Sequence, residues 1–244
     1  MSIFMNKLPV YKIFPLGDTA LAVDFGNIIS PTINDTVISL FKKLQQQPVE
    51  GMTEAVPAYS SLTIYYDIMS VRSKAGKEKT VFDLMKNAVQ NFLEKETDEY
   101  HPEKRIVNIP VCYEKEFAND MEWIIDKQKI SWEKFIQLHT SNIYRVYMLG
   151  FLPGFAYLGE VDDSIALPRK QQPQQVLAGS VGIAGKQTGV YPFDSPGGWQ
   201  IVGRTPVKFF NKEDKDPSVL QPGDSVKFTS ISKDEFEDIK SRNS

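Results

Sequence analysis

Hydrophobic positions in the first hundred residues follow two different periods. Alternating patterns predict four short strands, over residues 11–14, 20–25, 56–59 and 62–66. Apolar residues recur at helical spacing after Ser30 and Pro31, which suit an N-cap and a first helical turn. Thr80 with Asp83 resembles a capping box, with Asp in place of the usual Glu, and predicts a second helix. These elements predict a small α+β domain over residues 1–100, with both helices on one face of the strands.

A different pattern follows a polar stretch at residues 95–104, which we interpret as the connection between two domains. A strand is predicted over residues 105–113, and two short helices over residues 119–129 and 131–139, the second capped by Ser131. The helical period then disappears, and short β-type segments lie at residues 145–149, 181–184, 200–202, 207–210 and 225–229. Their spacing predicts a closed or nearly closed β-barrel over residues 101–244, with a charged tail that ends as an exposed helix or frays.

The composition and the net charge of the chain exclude several classes of protein. The 244 residues are enough for one or two domains, and 41% apolar with 24% charged residues excludes long disorder, collagen and coiled coil. No apolar run reaches the roughly 20 residues of a membrane span, and no secretory signal is visible, so the cytoplasm is the simplest compartment. A net charge of −3 argues against nucleic-acid binding driven by bulk charge.

Cysteine and histidine are scarce. Cys112 is the only cysteine, so an internal disulfide is excluded. Together with His101 and His139, it cannot form a Cys/His zinc cluster, and we predict no metal ligands, although a carboxylate site for magnesium stays open. We assign no function to His101.

Glycine is distributed unevenly, because ten of the fifteen glycines lie between Gly150 and Gly203. The segment over residues 179–189 suggests a nucleotide loop, but Ser180 stands where a P-loop needs Gly, and Gln187 where it needs Ser or Thr. Two interpretations remain. The segment is either a loop whose backbone N–H groups hold an oxyanion, or a set of tight barrel turns that need Gly.

Several polar side chains near this window suit binding or catalysis. Arg204, between Gly203 and Thr205, suits a bidentate contact to a carboxylate or phosphate, and a surface ion pair is the alternative. His139 suits proton transfer or anion binding at the end of its helix, and a capping or core histidine is the alternative. Trp199 suits either a pocket wall or the core.

The motifs themselves resemble those of a known family. They occupy residues 56–62, 109–113, 139–155, 179–192 and 195–206, including GFLPGF, GSVGIAGKQTGVYP and SPGGWQIVGRTP. The chain resembles the PxpB family, which contains the B-type component of bacterial 5-oxoprolinase, formerly called allophanate hydrolase subunit 1, and KipI, an inhibitor of a sporulation histidine kinase. The resemblance extends from about residue 14 to residue 228 and rests on three long motifs in the same order.

This resemblance implies a cyclophilin-like β-barrel behind a smaller α/β domain. It also implies a hydrolase that opens 5-oxo-L-proline to L-glutamate with ATP, and with Mg²⁺ where the complex binds the nucleotide. A C-type (PxpC) and an A-type (PxpA) subunit are the implied partners, and this chain is expected to be inactive without them. Two alternatives stay open: an inhibitor that binds a sensor histidine kinase, and half of a urea- or allophanate-type carboxyltransferase, for which another chain must supply biotin.

Site residues are predicted from the polar positions inside the matching motifs. The predicted catalytic residues are His139 for proton transfer, Arg204 as an anion clamp, and Lys186 as a cation of the glycine-rich loop. The predicted substrate- or nucleotide-binding residues are Tyr144, Arg145, Tyr147, Gly182, Gly185, Gln187, Thr188, Ser195 and Trp199. Ala156 and Lys186 depart from the family pattern, and Lys186 adds a cation to the glycine-rich loop. An apolar surface around Phe151, Phe155 and Trp199 would favour a partner interface.

Overall fold

The computed structural model describes residues 8–73, 79–95 and 105–242. The chain divides into two compact units, Met1–Glu103 and Lys104–Ser244. Most of the predicted connection, residues 96–104, lies outside the described residues, as does His101. None of the described helices is both long and apolar enough to span a membrane.

The first unit is a four-stranded antiparallel sheet covered by helices. Its strands are β1 Lys12–Pro15, β2 Ala20–Asp24, β3 Met52–Pro57 and β4 Ser61–Tyr66, in the order β1-β2-β4-β3. Its helices are α1 Pro31–Gln46, α2 Ile68–Ser73 and α3 Val81–Lys95. Leu21 and Val23 of β2 form a buried cluster with apolar residues of β4, α1 and α3. Three of the four predicted strands and both long helices are confirmed. The strand predicted over residues 56–59 is instead Met52–Pro57, and α2 is an addition.

Two helix starts in this chain carry the predicted caps. The Asp83 amide donates to Thr80 Oγ1 at 3.1 Å, and the Thr80 amide donates to Asp83 Oδ2 at 3.2 Å, so the capping box is confirmed. These hydrogen bonds lower the pKa of the Asp83 carboxyl. Ser131 likewise accepts from the Lys134 amide at 3.1 Å. Ser30 precedes α1 in an extended conformation, but its side chain makes no capping hydrogen bond.

The second unit contains a closed barrel. Its strands are β5 Ile106–Cys112, β6 Ile143–Leu149, β7 Ala156–Gly159, β8 Gln174–Val176, β9 Ser180–Ala184, β10 Gln187–Val190, β11 Ser195–Gly197, β12 Gln200–Arg204 and β13 Ser225–Ile231. Seven of them close in the order β10-β7-β6-β13-β5-β12-β9, while β8 and β11 pair separately. The helices are α4 Met121–Gln128, α5 Trp132–Ser141 and α6 Lys233–Arg242, with a 3₁₀ turn at Asp163–Ile165.

The predicted barrel is confirmed, with one wrong segment. Residues 207–210 form no strand. Phe210 makes only an isolated bridge to Ser218, and the Val207 amide bonds locally to Thr205 Oγ1 at 3.3 Å. Strands β7, β8, β10 and β11 were missed because three or four residues, some of them Gly, are too short to show alternation. The charged tail, which was predicted either to form an exposed helix or to fray, forms helix α6.

A parallel pair, β5 with β13, is fixed at its start by a buried carboxylate. Asp224, 7% exposed, accepts from Arg105 Nε at 3.1 Å and from the Gln221 amide at 2.7 Å. Arg105 Nη2 also donates to the Val219 carbonyl oxygen at 2.8 Å. Hydrogen bonding to Asp224 raises the pKa of the Arg105 guanidinium. This cluster therefore anchors the last barrel strand.

Candidate functional site

His139 lies inside the second unit, fully buried at the end of α5. Its Nδ1 accepts from the Tyr113 hydroxyl at 2.7 Å, and its Nε2 lies 3.0 Å from Thr188 Oγ1. The Thr188 hydroxyl donates to the Gly182 carbonyl oxygen at 3.0 Å, so its oxygen accepts from the imidazole. The proton of the neutral ring therefore lies on Nε2.

Burial sets the ionisation of this interior group. It lowers the pKa of His139 from 6.5 to about 3 and raises the pKa of Tyr113 well above 10. Burial also raises the pKa of Tyr144, whose hydroxyl donates to the His139 carbonyl oxygen at 2.7 Å. His139 is therefore neutral at physiological pH. The geometry favours a structural role, and proton transfer by His139 stays a prediction.

The glycine-rich segment over residues 179–189 folds as the hairpin β9–β10. Gly185 occupies its turn with a φ of +60°, and its amide donates to the Leu167 carbonyl oxygen at 2.5 Å. Lys186 extends into solvent and forms an ion pair with Asp163 at 2.6 Å, which raises the pKa of its ammonium group. Of the two interpretations, barrel turns fit this geometry better than an oxyanion loop, because the strand amides on either side of the turn lie in the ladder.

Three of the predicted binding residues meet on the barrel around Gly159. Arg145 of β6 and Gln187 of β10 both pair with Gly159 of the strand between them, so the three residues share one face of the sheet. Tyr147 fills the space beside this glycine, since a methyl group on Gly159 would lie 2.9 Å from its ring. The Arg145 guanidinium lies 5.9 Å from the centre of the Tyr147 ring. The structure thus brings Arg145, Tyr147 and Gln187 together.

Trp199 belongs to a packed aromatic cluster with Phe155 and Tyr191. The Phe155 ring lies edge-on to Trp199 and to Tyr191, with ring centres 5.3 Å apart in both pairs. Phe151 packs edge-on against Phe155 at 5.5 Å but is 59% exposed, with a φ of +68°. The motifs GFLPGF, GSVGIAGKQTGVYP and SPGGWQIVGRTP each contribute one of the three rings of this cluster. Its apolar surface is therefore Phe151, while Phe155 and Trp199 are buried.

Arg204 and Ser195 both belong to the SPGGWQIVGRTP motif. The Arg204 side chain is half-buried, and its Nε donates to the Ala178 carbonyl oxygen at 2.8 Å. Gly179, with a φ of +82°, lies too close to the Thr205 carbonyl oxygen to carry a side chain, and the Arg204 side chain packs beside it at an ordinary contact distance. The buried Ser195 Oγ has no hydrogen-bond partner among the described residues. Arg204 therefore fixes a turn, and its role as an anion clamp stays a prediction.

A cavity of about 540 Å³ opens beside α4, and sequence reasoning did not predict it. Its wall includes Asp120, Lys127, Arg169, Lys170 and Gln200, none of which was among the predicted site residues. Lys170 Nζ pairs with Asp120 Oδ2 at 2.6 Å, and both side chains are mostly buried. The Arg169-Lys170 pair after Pro168 was the available signal, but it lies outside the motifs that guided the prediction.

The cavity adjoins the aromatic cluster. The Lys170 amide donates to the Gly198 carbonyl oxygen at 2.7 Å, directly before Trp199. Burial raises the pKa of Tyr191, and the positive charge of Arg169 opposes that rise. The SPGGWQ segment therefore contributes both to the cluster and to the cavity wall.

Within the described residues, no group of three or more His, Cys, Asp or Glu side chains lies close enough together to hold a metal ion.

Comparison with known proteins identifies the family. Residues 11–220 match the family described as "Carboxyltransferase domain, subdomain C and D". The chain belongs to this carboxyltransferase family. It is 41% identical over 232 residues to the B-type 5-oxoprolinase subunit of Bacillus subtilis strain 168, covering 94% of this chain and 97% of that relative.

A second relative and a solved structure are also similar to this chain. The B-type 5-oxoprolinase subunit of Escherichia coli O157:H7 is 32% identical over 218 residues, covering 89% of this chain and 94% of that relative. The crystal structure of TTHA0988 has a TM-score of 0.75 at 33% identity, covering 87% of this chain and 40% of that one. This chain thus spans less than half of TTHA0988. The family resemblance inferred from the motifs is confirmed, while the cyclophilin-like label for the barrel stays a prediction.

Proposed function

We propose that this chain is the B-type subunit of an ATP-dependent 5-oxoprolinase. The observation that carries the proposal is the 41% identity to the B-type subunit of B. subtilis, which extends over nearly the full length of both chains. A shared length of this extent argues for the same place in a complex, and a fold alone would not. We propose a C-type and an A-type subunit as the partners and the cytoplasm as the compartment.

The reaction explains why ATP is needed. The amide of a five-membered lactam is stabilised by resonance and resists attack by water. Transfer of the γ-phosphoryl group to the lactam oxygen forms an O–P bond, releases ADP and makes the ring carbon electrophilic. Water adds to this carbon and the carbon–nitrogen bond breaks. Hydrolysis of the phosphate group by a second water leaves L-glutamate and inorganic phosphate.

The protein must hold a carboxylate and neutralise phosphate charge during this sequence. Arg145, Gln187 and Tyr147 support the proposal because they form one polar group on the barrel. Arg204 is proposed as an anion clamp, and Lys186 as a surface cation at the turn between β9 and β10. A clamp at Arg204 requires its guanidinium to exchange the Ala178 carbonyl oxygen for a ligand oxygen.

Reconstitution tests the proposal. The chain is co-purified with a C-type subunit, an A-type subunit is added, and ADP and glutamate release are measured with and without 5-oxo-L-proline. We expect both products in the complete mixture and neither when any subunit is omitted. No turnover in a mixture of folded, associated subunits would defeat the proposal. Activity that needs a biotin carrier would favour the carboxyltransferase alternative, and inhibition of a histidine kinase without turnover would favour the inhibitor.

Arg204→Gln tests the clamp within the same assay. We expect a tenfold or greater fall in turnover, because a charge-assisted hydrogen bond to the ligand is lost. Unchanged turnover in a correctly folded variant would remove Arg204 from the proposed site.

A further inference from the structure

The cavity beside α4 has the size and chemistry of a ligand site. Its volume of about 540 Å³ lies in the range of about 300–1,000 Å³ that is typical of small-molecule pockets. Side chains that carry charge or an amide line most of its wall, and Trp123 of α4 supplies an aromatic surface that is 46% exposed. The proposed roles above use none of these residues.

Positive charge dominates the wall. Lys127, Arg169 and Lys170 are cations, and Asp120 is the only carboxylate among the described residues that line the cavity. Asp120 is paired with Lys170. In the part of the chain that the structure describes, neither Lys127 nor Arg169 lies within ion-pair distance of a carboxylate. Their charge is therefore available to a ligand of opposite sign, and weakly hydrated guanidinium groups suit carboxylate and phosphate oxygens.

The floor of the cavity is held in place before any ligand binds. The side chain of Lys170 is 12% exposed, and its Nζ is fixed by Asp120 Oδ2 at 2.6 Å and by Gln174 Oε1 at 2.9 Å. Asp120 Oδ2 in turn accepts from the Ile201 amide at 2.6 Å. An ammonium group has three N–H donors, so one remains after these two bonds. Such fixed polar groups lower the entropic cost of binding.

Gln200 completes the floor. It is buried, and its Nε2 donates to the Pro168 carbonyl oxygen at 3.1 Å, which fixes the orientation of the amide. The anchored amide leaves Oε1 as an acceptor for a ligand N–H group. The cavity thus offers two peripheral cations, one buried ammonium donor and one amide acceptor.

We infer that this cavity binds the oxyanion group, carboxylate or phosphate, of a small ligand. Arg169 and Lys127 contact the oxyanion, and Lys170 and Gln200 hydrogen-bond the rest of the ligand. Two sources of this group arise from the proposed function, on which the choice of probes rests: the carboxylate of 5-oxo-L-proline and the phosphates of ATP. The cavity itself is defined without reference to either.

Calorimetric titration tests the site with three probes: 5-oxo-L-proline, ATP and inorganic phosphate. Each probe is titrated into the full chain and into its complex with the C-type subunit. The variants are Arg169→Gln and Lys127→Gln, both at exposed positions, and the matched control is Lys212→Gln, an 83% exposed lysine away from the cavity. We expect each cavity variant to raise Kd about tenfold, from the loss of one charge-assisted contact, and the control to change it less than twofold.

Tryptophan fluorescence locates the bound probe independently. Trp123 lines the cavity, whereas Trp199 is buried in the aromatic cluster and Trp132 donates through Nε1 to the Tyr113 carbonyl oxygen at 3.0 Å. We expect a bound probe to change the emission of the wild-type chain and not that of Trp123→Phe.

The outcomes separate the site from the proposed function. Binding of any probe that weakens in both cavity variants supports the oxyanion site, and the tightest probe identifies the source of the group, even if reconstitution gives no turnover. Binding of no probe to either the chain or the complex overturns the inference. So does binding with equal Kd in wild type, Arg169→Gln and Lys127→Gln. If both variants also give a complex with full turnover and unchanged KM, such equal binding overturns the site and leaves the proposed function standing.

Discussion

The ionisation of His139 gives a quantitative prediction, because its pKa falls to about 3 in the folded protein. In the unfolded chain the imidazole has its ordinary pKa of about 6.5. Between these values the unfolded chain binds a proton that the native protein does not, so the free energy of unfolding decreases as the pH falls. From about pH 7 to about pH 5.5, this linkage removes about 1.2 kcal/mol of stability through this residue alone.

His139→Gln removes this titration while keeping a donor and an acceptor in the interior. Urea unfolding of both proteins, followed by far-ultraviolet circular dichroism, gives the free energy of unfolding at each pH. The loss between the two pH values is expected to be about 1.2 kcal/mol smaller in the variant. His101 is present in both proteins, so its contribution cancels.

Equal pH dependence in the two proteins would refute the reasoning. It would mean that His139 keeps an ordinary pKa in the folded protein, as a proton carrier in contact with solvent does. If the variant does not fold, an NMR titration of the wild-type imidazole measures the same pKa directly. A midpoint near 6.5 would then contradict burial as the dominant effect.

Three further predictions concern stability and reactivity. In urea unfolding, Gly154→Ala is expected to lower the free energy of unfolding by about 3 kcal/mol and Gly185→Ala by about 1 kcal/mol. Both glycines have positive φ, but only at Gly154 would an added methyl group meet a backbone oxygen, that of Phe209, at 2.9 Å. Equal losses would contradict this. Arg105→Gln should cost about 2 kcal/mol by leaving Asp224 without its cation, and a loss below about 0.5 kcal/mol would show that the pair is dispensable. The fully buried Cys112, whose pKa burial raises, should react with a thiol reagent only after unfolding, and rapid reaction of the native protein would argue against its placement.

Local signals in the sequence were sufficient for much of the fold. The capping box at Thr80 and Asp83 and the Ser131 cap are short-range features, and both appear in the structure as hydrogen bonds. The helical spacing of apolar residues in α1 and α3 likewise depends only on residues three or four positions apart in the chain. The barrel followed from the spacing of β-type segments, but strands as short as β8 could not be read from alternation.

The candidate site was harder to predict, because it depends on contacts between distant segments. The site residues were predicted from their positions in the motifs. A motif does not show whether a side chain lines a pocket or lies in the hydrophobic core. Thus Tyr144 and Thr188 are buried beside His139, whereas Lys186 lies on the surface. The cavity joins α4 to a loop some fifty residues later, through Asp120 and Lys170. Pairing of this kind leaves no periodic signal in a single sequence.

The most direct test of the account measures how glutamate formation depends on this chain. The chain is titrated into fixed amounts of A- and C-type subunits with ATP and 5-oxo-L-proline, and the initial rate of glutamate release is recorded. Membership in an obligate complex predicts a rate near zero without the chain. The rate should rise as the chain is added and level off when its concentration equals that of the C-type subunit. Glutamate release that is independent of the added chain, or absent at every ratio, would contradict the account.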